Sequence, residues 1–498
     1  MDVPKTTGRR DPAEDVAAAA QGGRCPVDHG GAGSTSAESA IAPPPIAISA
    51  TELPAYRKAT LAQMFEFWKS PPNFMAQCRD RYGSRFAVSI KLPPKPVYVL
   101  SDPADLKAMF LAPADVLHTG NGSGTIEKYT GQTGLAWLDE DQHKERRKLL
   151  MPSMHGKALQ RIGAAIAEMA ETDVATWPRS ENTALHPYIQ RYAFHALREV
   201  IFGSVAPSCW DELADVLIRM MQFNDHIGSV LQIHRMPSAV VRLLTAIRPL
   251  GLYDFLKLRK RADALLAEAV EERRNSGEHG DDLLSVLLGI THEDGSPLSA
   301  TELRDEIMTI FIAGTETTTV AIAWAFEYLS CDRAALDRLV AEIDAGTDDA
   351  YLTATVQEVL RLRPSLPQII PREVIKPIEI GGVRYEPGMV LWGSAYLMNR
   401  DPVVYPAPDA FRPERFLDSR PGTYTWIPFG GGRVRCLGDK IAMLEMKAVI
   451  REVLARCELH RVDQQPAEPR SRIVVIMPSN GTRLELRPRA KVMSAAMD

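Results

Sequence analysis

Cysteine is scarce and unpaired in this chain of 498 residues: Cys25, Cys78, Cys209, Cys331, Cys436 and Cys457 form no CxxC pair and no regular spacing. That excludes a disulfide or zinc framework as the basis of the fold. Excess cation is missing too, with 58 Lys and Arg against 63 Asp and Glu and a net charge of −5. No global basic field awaits a phosphate backbone, so nucleic acid is not an expected partner. The longest apolar feature of the first 30 residues is four alanines, Ala17 to Ala20. A secretory signal needs more, and a reducing, cytoplasmic setting is the expectation. Repeats are also absent, as are Pro or Gly/Ser tracts beyond Ile46. One large domain over 45–498 is therefore expected, although the length alone would suit several. Residues 1–44, rich in Ala, Gly, Ser and Asp, lack the apolar content to order themselves and read as a flexible tail.

The composition, 45% hydrophobic and 24% charged, suits a large globular core. Residues 85–101 alternate around a Pro turn and predict a hairpin, and residues 378–391 carry Gly381-Gly382 and Pro387-Gly388 turn signals. Long amphipathic stretches such as 256–274 and 334–343 predict helices. The fold class expected is mostly α with small β-sheets (α+β). Residues 307–326 have the length of a membrane span and a single charge, Glu316, near the centre. A carboxylate at mid-bilayer is costly. The segment is entered through Ser299-Ala300-Thr301-Glu302, which fits a capping box. A long helix buried inside the domain, with no membrane anchor, is the expected reading.

The sharpest local signal is Phe429-Gly430-Gly431-Gly432-Arg433-Val434-Arg435-Cys436-Leu437-Gly438, a cysteine in a Gly-rich loop ahead of a helical stretch from Lys440. Glycines let backbone approach a flat ligand, and amides and arginines can stabilise a thiolate. An isolated cysteine beside a turn is more often structural. The spacing Phe-x-x-Gly-x-x-x-Cys-x-Gly, however, arises by chance in roughly one chain in a thousand of this composition. The loop resembles the cysteine-ligand loop of the cytochrome P-450 superfamily, the haem-thiolate monooxygenases. The resemblance implies Cys436 as iron ligand, with Phe429, Gly430 and Gly438 shaping its loop.

Other segments resemble the family in its order. Glu358-Val359-Leu360-Arg361 is similar to the ExxR of the K helix and 411–416 (FRPERF) to the PERF segment, which implies a structural ionic cluster of Glu358, Arg361 and Arg415. Glu271-Glu272-Arg273-Arg274 also fits ExxR but reads as a solvated helix face. Ala313-Gly314-Thr315-Glu316-Thr317-Thr318 resembles the oxygen-binding kink of the I helix, where the glycine leaves room for dioxygen and a threonine hydroxyl bonds back to the preceding turn. Glu316 and Thr317 are then the expected catalytic acid and alcohol that deliver protons. His143 and Arg147 match the HxxxR of the C helix and share a helix face from which both could grip a haem propionate. Arg372, after Pro371, stands where the family places another propionate-binding arginine. The residue two before the cysteine, often basic in the family, is Val434 here. Arg433 and Arg435 flank it, and Arg435, next to Cys436, is taken as the substitute.

The resemblance runs from about Pro54 to Arg489 and implies a monooxygenase of the soluble bacterial type. Its cofactor would be haem b (iron protoporphyrin IX) and its co-substrate dioxygen. Its substrate would be a lipophilic small molecule of the fatty acid, terpenoid, steroid or polyketide class, hydroxylated or epoxidised. The stretch after Cys436 is too short for a flavin reductase, so electrons are expected from a separate ferredoxin with its reductase or a flavodoxin, docked on a face of Arg146, Lys148, Arg433, Arg435 and Lys440. A monomer is expected. By family position the pocket would be lined by 118–137, Met220, Met221, Phe223, Ile233, Phe311, Ile312, 367–370 and 476–478. The alternatives are a haem-thiolate peroxygenase or isomerase, disfavoured by the intact Glu316-Thr317 pair, and a non-catalytic haem-binding sensor.

Overall fold

The central element of the computed structural model is a helix of 32 residues, Ala300–Cys331. Ser299 caps it: its Oγ accepts from the Glu302 amide at 3.2 Å while Glu302 returns a bond to the Ser299 amide at 2.9 Å, the reciprocal box that the sequence predicts. Among the described residues it alone is long and apolar enough to cross a membrane, and it is mostly buried within the protein. The structure describes residues 47–489 apart from 57, 91–94, 121–125, 180–181, 226–237, 248–250, 278–279, 464 and 473. The expected tail over 1–44 and the pocket residue Ile233 lie outside them.

Around this axis the helices His186–Phe202 and Asp439–Arg456 bury their apolar faces, and helix Gly156–Ala175 packs on both of these. The 25-residue helix Leu252–Ser276 and helix Arg333–Ala345 contain the two amphipathic stretches read from the sequence.

The sheets are small. The expected hairpin forms as Arg85–Val88 against Val97–Leu100, antiparallel, with Phe86 opposite Val99. It joins a five-stranded sheet in which Val97–Leu100 runs parallel to Val390–Gly393, followed by Arg372–Val374 and Leu117–His118. Ile378–Ile380 and Val383–Tyr385 form a second hairpin, turned by Gly381 and Gly382 at φ +59° and +73°, a left-handed pair that suits only glycine at low cost. Pro469–Arg472 pairs with Val475–Pro478. That last hairpin returns to the central helix: Trp324 Nε1 donates to the Ile476 carbonyl at 2.8 Å, and Val320 packs with Val475 and Met477.

Candidate functional site

The cysteine loop closes on itself. The Cys436 amide donates to the Phe429 carbonyl at 3.0 Å, the Arg435 amide to Gly432 at 3.2 Å, and Gly430 takes φ +66°. A Cβ on Gly431 would enter the Phe110 ring, and one on Gly432 would strike the Phe110 carbonyl. Phe429 packs edge-on against Trp426 with centroids 5.9 Å apart.

Burial is the largest influence on the Cys436 thiol and pushes its pKa up; the Gly438 amide pulls it down, Asp439 raises it, and Arg147 and Arg435 lower it. Yet the residue has open surface. Both facts hold if that surface lines an internal hollow rather than bulk solvent. The central helix shows the same signature. Ala313 is exposed and Ile310, Ile312, Gly314 and Thr317 are half-exposed in the middle of an otherwise buried stretch. Helix Asp439–Arg456, which starts three residues after Cys436, packs against this helix.

Thr317 Oγ1 donates to the Ala313 carbonyl at 2.6 Å, and its own carbonyl accepts from Ser365 Oγ at 2.7 Å. Thr309, Thr315 and Thr319 bond back in the same way, yet the helix runs unbroken. A Cβ on Gly314 would meet Leu197 Cδ2 at 2.8 Å, so the glycine admits a neighbouring helix while keeping surface of its own. Glu316 points to the flank of the helix. It is buried, accepts from Gln190 Nε2 at 2.6 Å and pairs with Arg472 Nη1 at 3.2 Å. Neither Gln190 nor Arg472 carries a local motif, and both are remote from Glu316 in the chain.

A cationic group lies around the thiol. Arg372, at the start of its strand as expected, is 1% exposed, and its Nε and Nη1 meet no acceptor among the described residues. Burial first, and then Arg433, lower its pKa to about 9, with Asp139 opposing. His143 is buried and neutral, its pKa pulled down to about 4 by burial and then by Arg147, Arg433 and Arg372. Arg147 in turn feels Cys436, Asp439 and Arg435. Arg433 is the arginine whose charge reaches His143 and Arg372, while donating to the Ala112 carbonyl at 3.0 Å. Arg435 is held by Asp439 at 2.9 Å. Buried cations with unmatched donors call for an anion. A cysteine within reach of Arg147 and Arg435, together with the buried donors of Arg372, fits a haem and its two propionates.

The ionic cluster of Glu358, Arg361 and Arg415 assembles. Arg361 Nε and Nη2 reach the Glu358 carboxylate at 2.7 and 2.9 Å, both residues fully buried, and Arg415 Nε reaches it at 3.0 Å. The remaining Arg361 donors go to the carbonyls of Asn399, Pro408 and Ala410. Two expectations are corrected. Phe311 does not face the hollow: it is fully buried and packs against Phe194, Phe202 and Trp210, because it sits about 160° round the helix from Ala313. Arg146 is not part of an open basic face: it is buried and bonded to Glu306 at 3.1 Å. Met220, Met221 and Phe223 are core residues.

A cytochrome P450 family model matches residues 54–486. Among curated relatives, a Mycobacterium bovis protein named cytochrome P450 135B1 is 31% identical over 432 residues, 85% of this chain and 89% of its own. Cytochrome P450 137 of Mycobacterium tuberculosis is 34% identical over 414 residues, 82% of this chain and 84% of its own. The solved structure titled retinoic acid bound cyanobacterial CYP120A1 is similar with a TM-score of 0.75 at 22% identity, over 89% of this chain and 100% of that one.

Proposed function

Because the chain belongs to the cytochrome P450 family, we propose that Cys436 holds haem b through its thiolate and that the protein inserts oxygen into a lipophilic small molecule. The observation that carries this reading is Cys436, crowded by protein yet with open surface, within the electrostatic reach of Arg147 and Arg435. When bound, the haem supplies dioxygen activation, and thiolate donation favours O–O cleavage.

The chain's own residues do the rest. Arg372, Arg147 and His143 hold the propionates, and the two idle donors of Arg372 gain acceptors. Thr317 Oγ1 donates its hydrogen bond to the Ala313 carbonyl, which leaves the oxygen lone pairs to accept a hydrogen bond from what lies in the hollow. Glu316, held by Arg472 and Gln190, is the nearest carboxylate in sequence for proton supply along that helix. Two electrons come from a separate donor, a ferredoxin with its reductase or a flavodoxin. Lys144, Lys148 and Lys440, all exposed, offer it cations.

The test is the spectrum of the reduced protein under carbon monoxide, beside Cys436→Ser. A strongly red-shifted Soret band lost in the variant is expected. A haem band without that shift in the native protein would remove Cys436 as ligand. Consumption of reducing equivalents coupled to product separates an enzyme from a haem carrier.

A further inference from the structure

Just ahead of its open surface, the central helix carries two consecutive carboxylates, Asp305 and Glu306, that reach across to residues 131–135. Asp305 Oδ2 accepts from the amides of Gln132 at 2.9 Å and Thr133 at 3.1 Å and from Thr133 Oγ1 at 2.9 Å. Glu306 Oε2 accepts from the Leu135 amide at 3.0 Å and from Arg146 Nη1 at 3.1 Å. Arg304 pairs with Asp305 and with Asp263 at 2.8 Å, and Arg146 lies 3.7 Å from Glu302. Both carboxylates are buried.

The segment lies so close that only glycine fits at two places. A Cβ on Gly131, where φ is +76°, would enter the Asp305 carboxylate, and one on Gly134 would stand 2.7 Å from Thr309 Oγ1 and 3.1 Å from the Asp305 carbonyl. At 100° per residue, Glu306, Ile310, Ala313 and Thr317 fall within about 60° of arc on one helix face. Glu306 is buried under the segment, whereas Ile310, Ala313 and Thr317 keep surface. The cover therefore stops between Glu306 and Ala313, where the hollow begins.

We infer that Asp305 and Glu306 clamp residues 131–135 onto the central helix and so fix the end wall of the substrate hollow. They are positioning residues, not catalytic ones, for the size of ligand admitted. The inference rests on the proposed haem reading for what occupies the hollow. It commits to the main-chain amides of 132, 133 and 135 as the principal clamped groups, so the side chains of Gln132 and Leu135 can vary without loosening it, whereas Gly131 and Gly134 cannot.

The holoprotein tests this with two iron-binding probes of different size, imidazole and 4-phenylimidazole, in native, Asp305→Asn and Gly134→Ala proteins. The first variant weakens the clamp by charge; the second displaces the segment by bulk. Both are expected to speed deuterium exchange at the amides of 132, 133 and 135 by on the order of tenfold. Both are also expected to raise the association rate of 4-phenylimidazole by a similar factor while that of imidazole holds. Faster exchange with unchanged rates for both probes would overturn the inference, since the clamp would then serve only the fold. Unchanged exchange would overturn it as well. Should Asp305→Asn not retain haem, Glu306→Gln, which keeps an acceptor for Leu135, takes its place beside Gly134→Ala. A native protein without the red-shifted carbon monoxide band would sink the haem reading instead, and the exchange measurement would still report whether the clamp exists.

Discussion

Arg372 carries an electrostatic demand that the protein leaves unmet: a guanidinium 1% exposed with two donors idle and Arg433 nearby. Removing the charge has opposite effects on the two forms of the protein. Arg372→Met relieves the buried charge in the haem-free chain and removes a propionate partner in the loaded one. The expected outcome is a higher melting temperature for the haem-free variant together with haem loss to an acceptor protein faster by roughly tenfold or more, one broken charged hydrogen bond being about 1.5–3 kcal/mol. Equal shifts of both forms in one direction would refute it. His143 gives the pH counterpart. Its folded pKa near 4 lies below the ordinary 6.5, so the folded chain resists protonation that the unfolded chain accepts. Its contribution is complete above pH 6.5 and is lost as pH falls towards 4, about 3 kcal/mol in all. Haem-free protein should therefore lose stability on acidification across that window. His143→Gln, which cannot protonate, should flatten the slope in denaturant melts taken at several pH values.

At the scale of elements, two ExxR sequences show what a motif can and cannot say. Glu271 and Arg274 pair at 2.6 Å with 60% and 41% of their side chains exposed; Glu358 and Arg361 pair at 2.7 Å with none. The helical spacing and the contact are the same, and only the surroundings differ. Order along the chain, upstream of the PERF segment and the cysteine loop, is what singles out Glu358 in sequence. The difference predicts energies. Glu358→Ala strands Arg361 and the Arg412 amide in the interior and should cost about 3–5 kcal/mol, while Glu271→Ala should cost no more than about 0.5 kcal/mol. Urea midpoints would compare the two, and equal losses would contradict the argument. The capping box at Ser299 and the hairpin of 85–101 were legible because each depends on residues a few places apart, whereas Arg372 was placed through the family resemblance. Phe311 was misread because a position carried over from the family does not say which face of an all-round buried helix meets a hollow. The roles of Gln190, Arg472 and Asp305 depend on partners more than 120 residues away, and no local pattern encodes such a meeting.

Across the whole molecule, residues 472–482 are fastened to the central helix at two levels about two turns apart. Arg472 reaches Glu316, the Ile476 carbonyl receives Trp324, and Thr482 Oγ1 reaches the Ala323 carbonyl at 3.3 Å. The Glu316–Arg472 pair is thus both a strut and the setting of the expected acid, and Thr317 stands next to it with a hydroxyl turned to the Ala313 carbonyl. The two duties separate by substitution. Arg472→Met leaves a buried carboxylate without its cation and should lower stability by about 3–5 kcal/mol; adding Glu316→Gln removes the stranded charge and should restore most of it. Thr317→Ala removes only a half-exposed hydroxyl and should cost little stability. If Thr317 manages protons as proposed, that variant keeps its haem spectrum and consumes reducing equivalents at a near-native rate. Less product forms per equivalent, and the balance appears as peroxide. Peroxide and product titrated against reducing equivalents in the same reaction decide the matter: native coupling in Thr317→Ala would take proton management away from the hydroxyl, and a fall in coupling matched by a loss of haem would make its role structural.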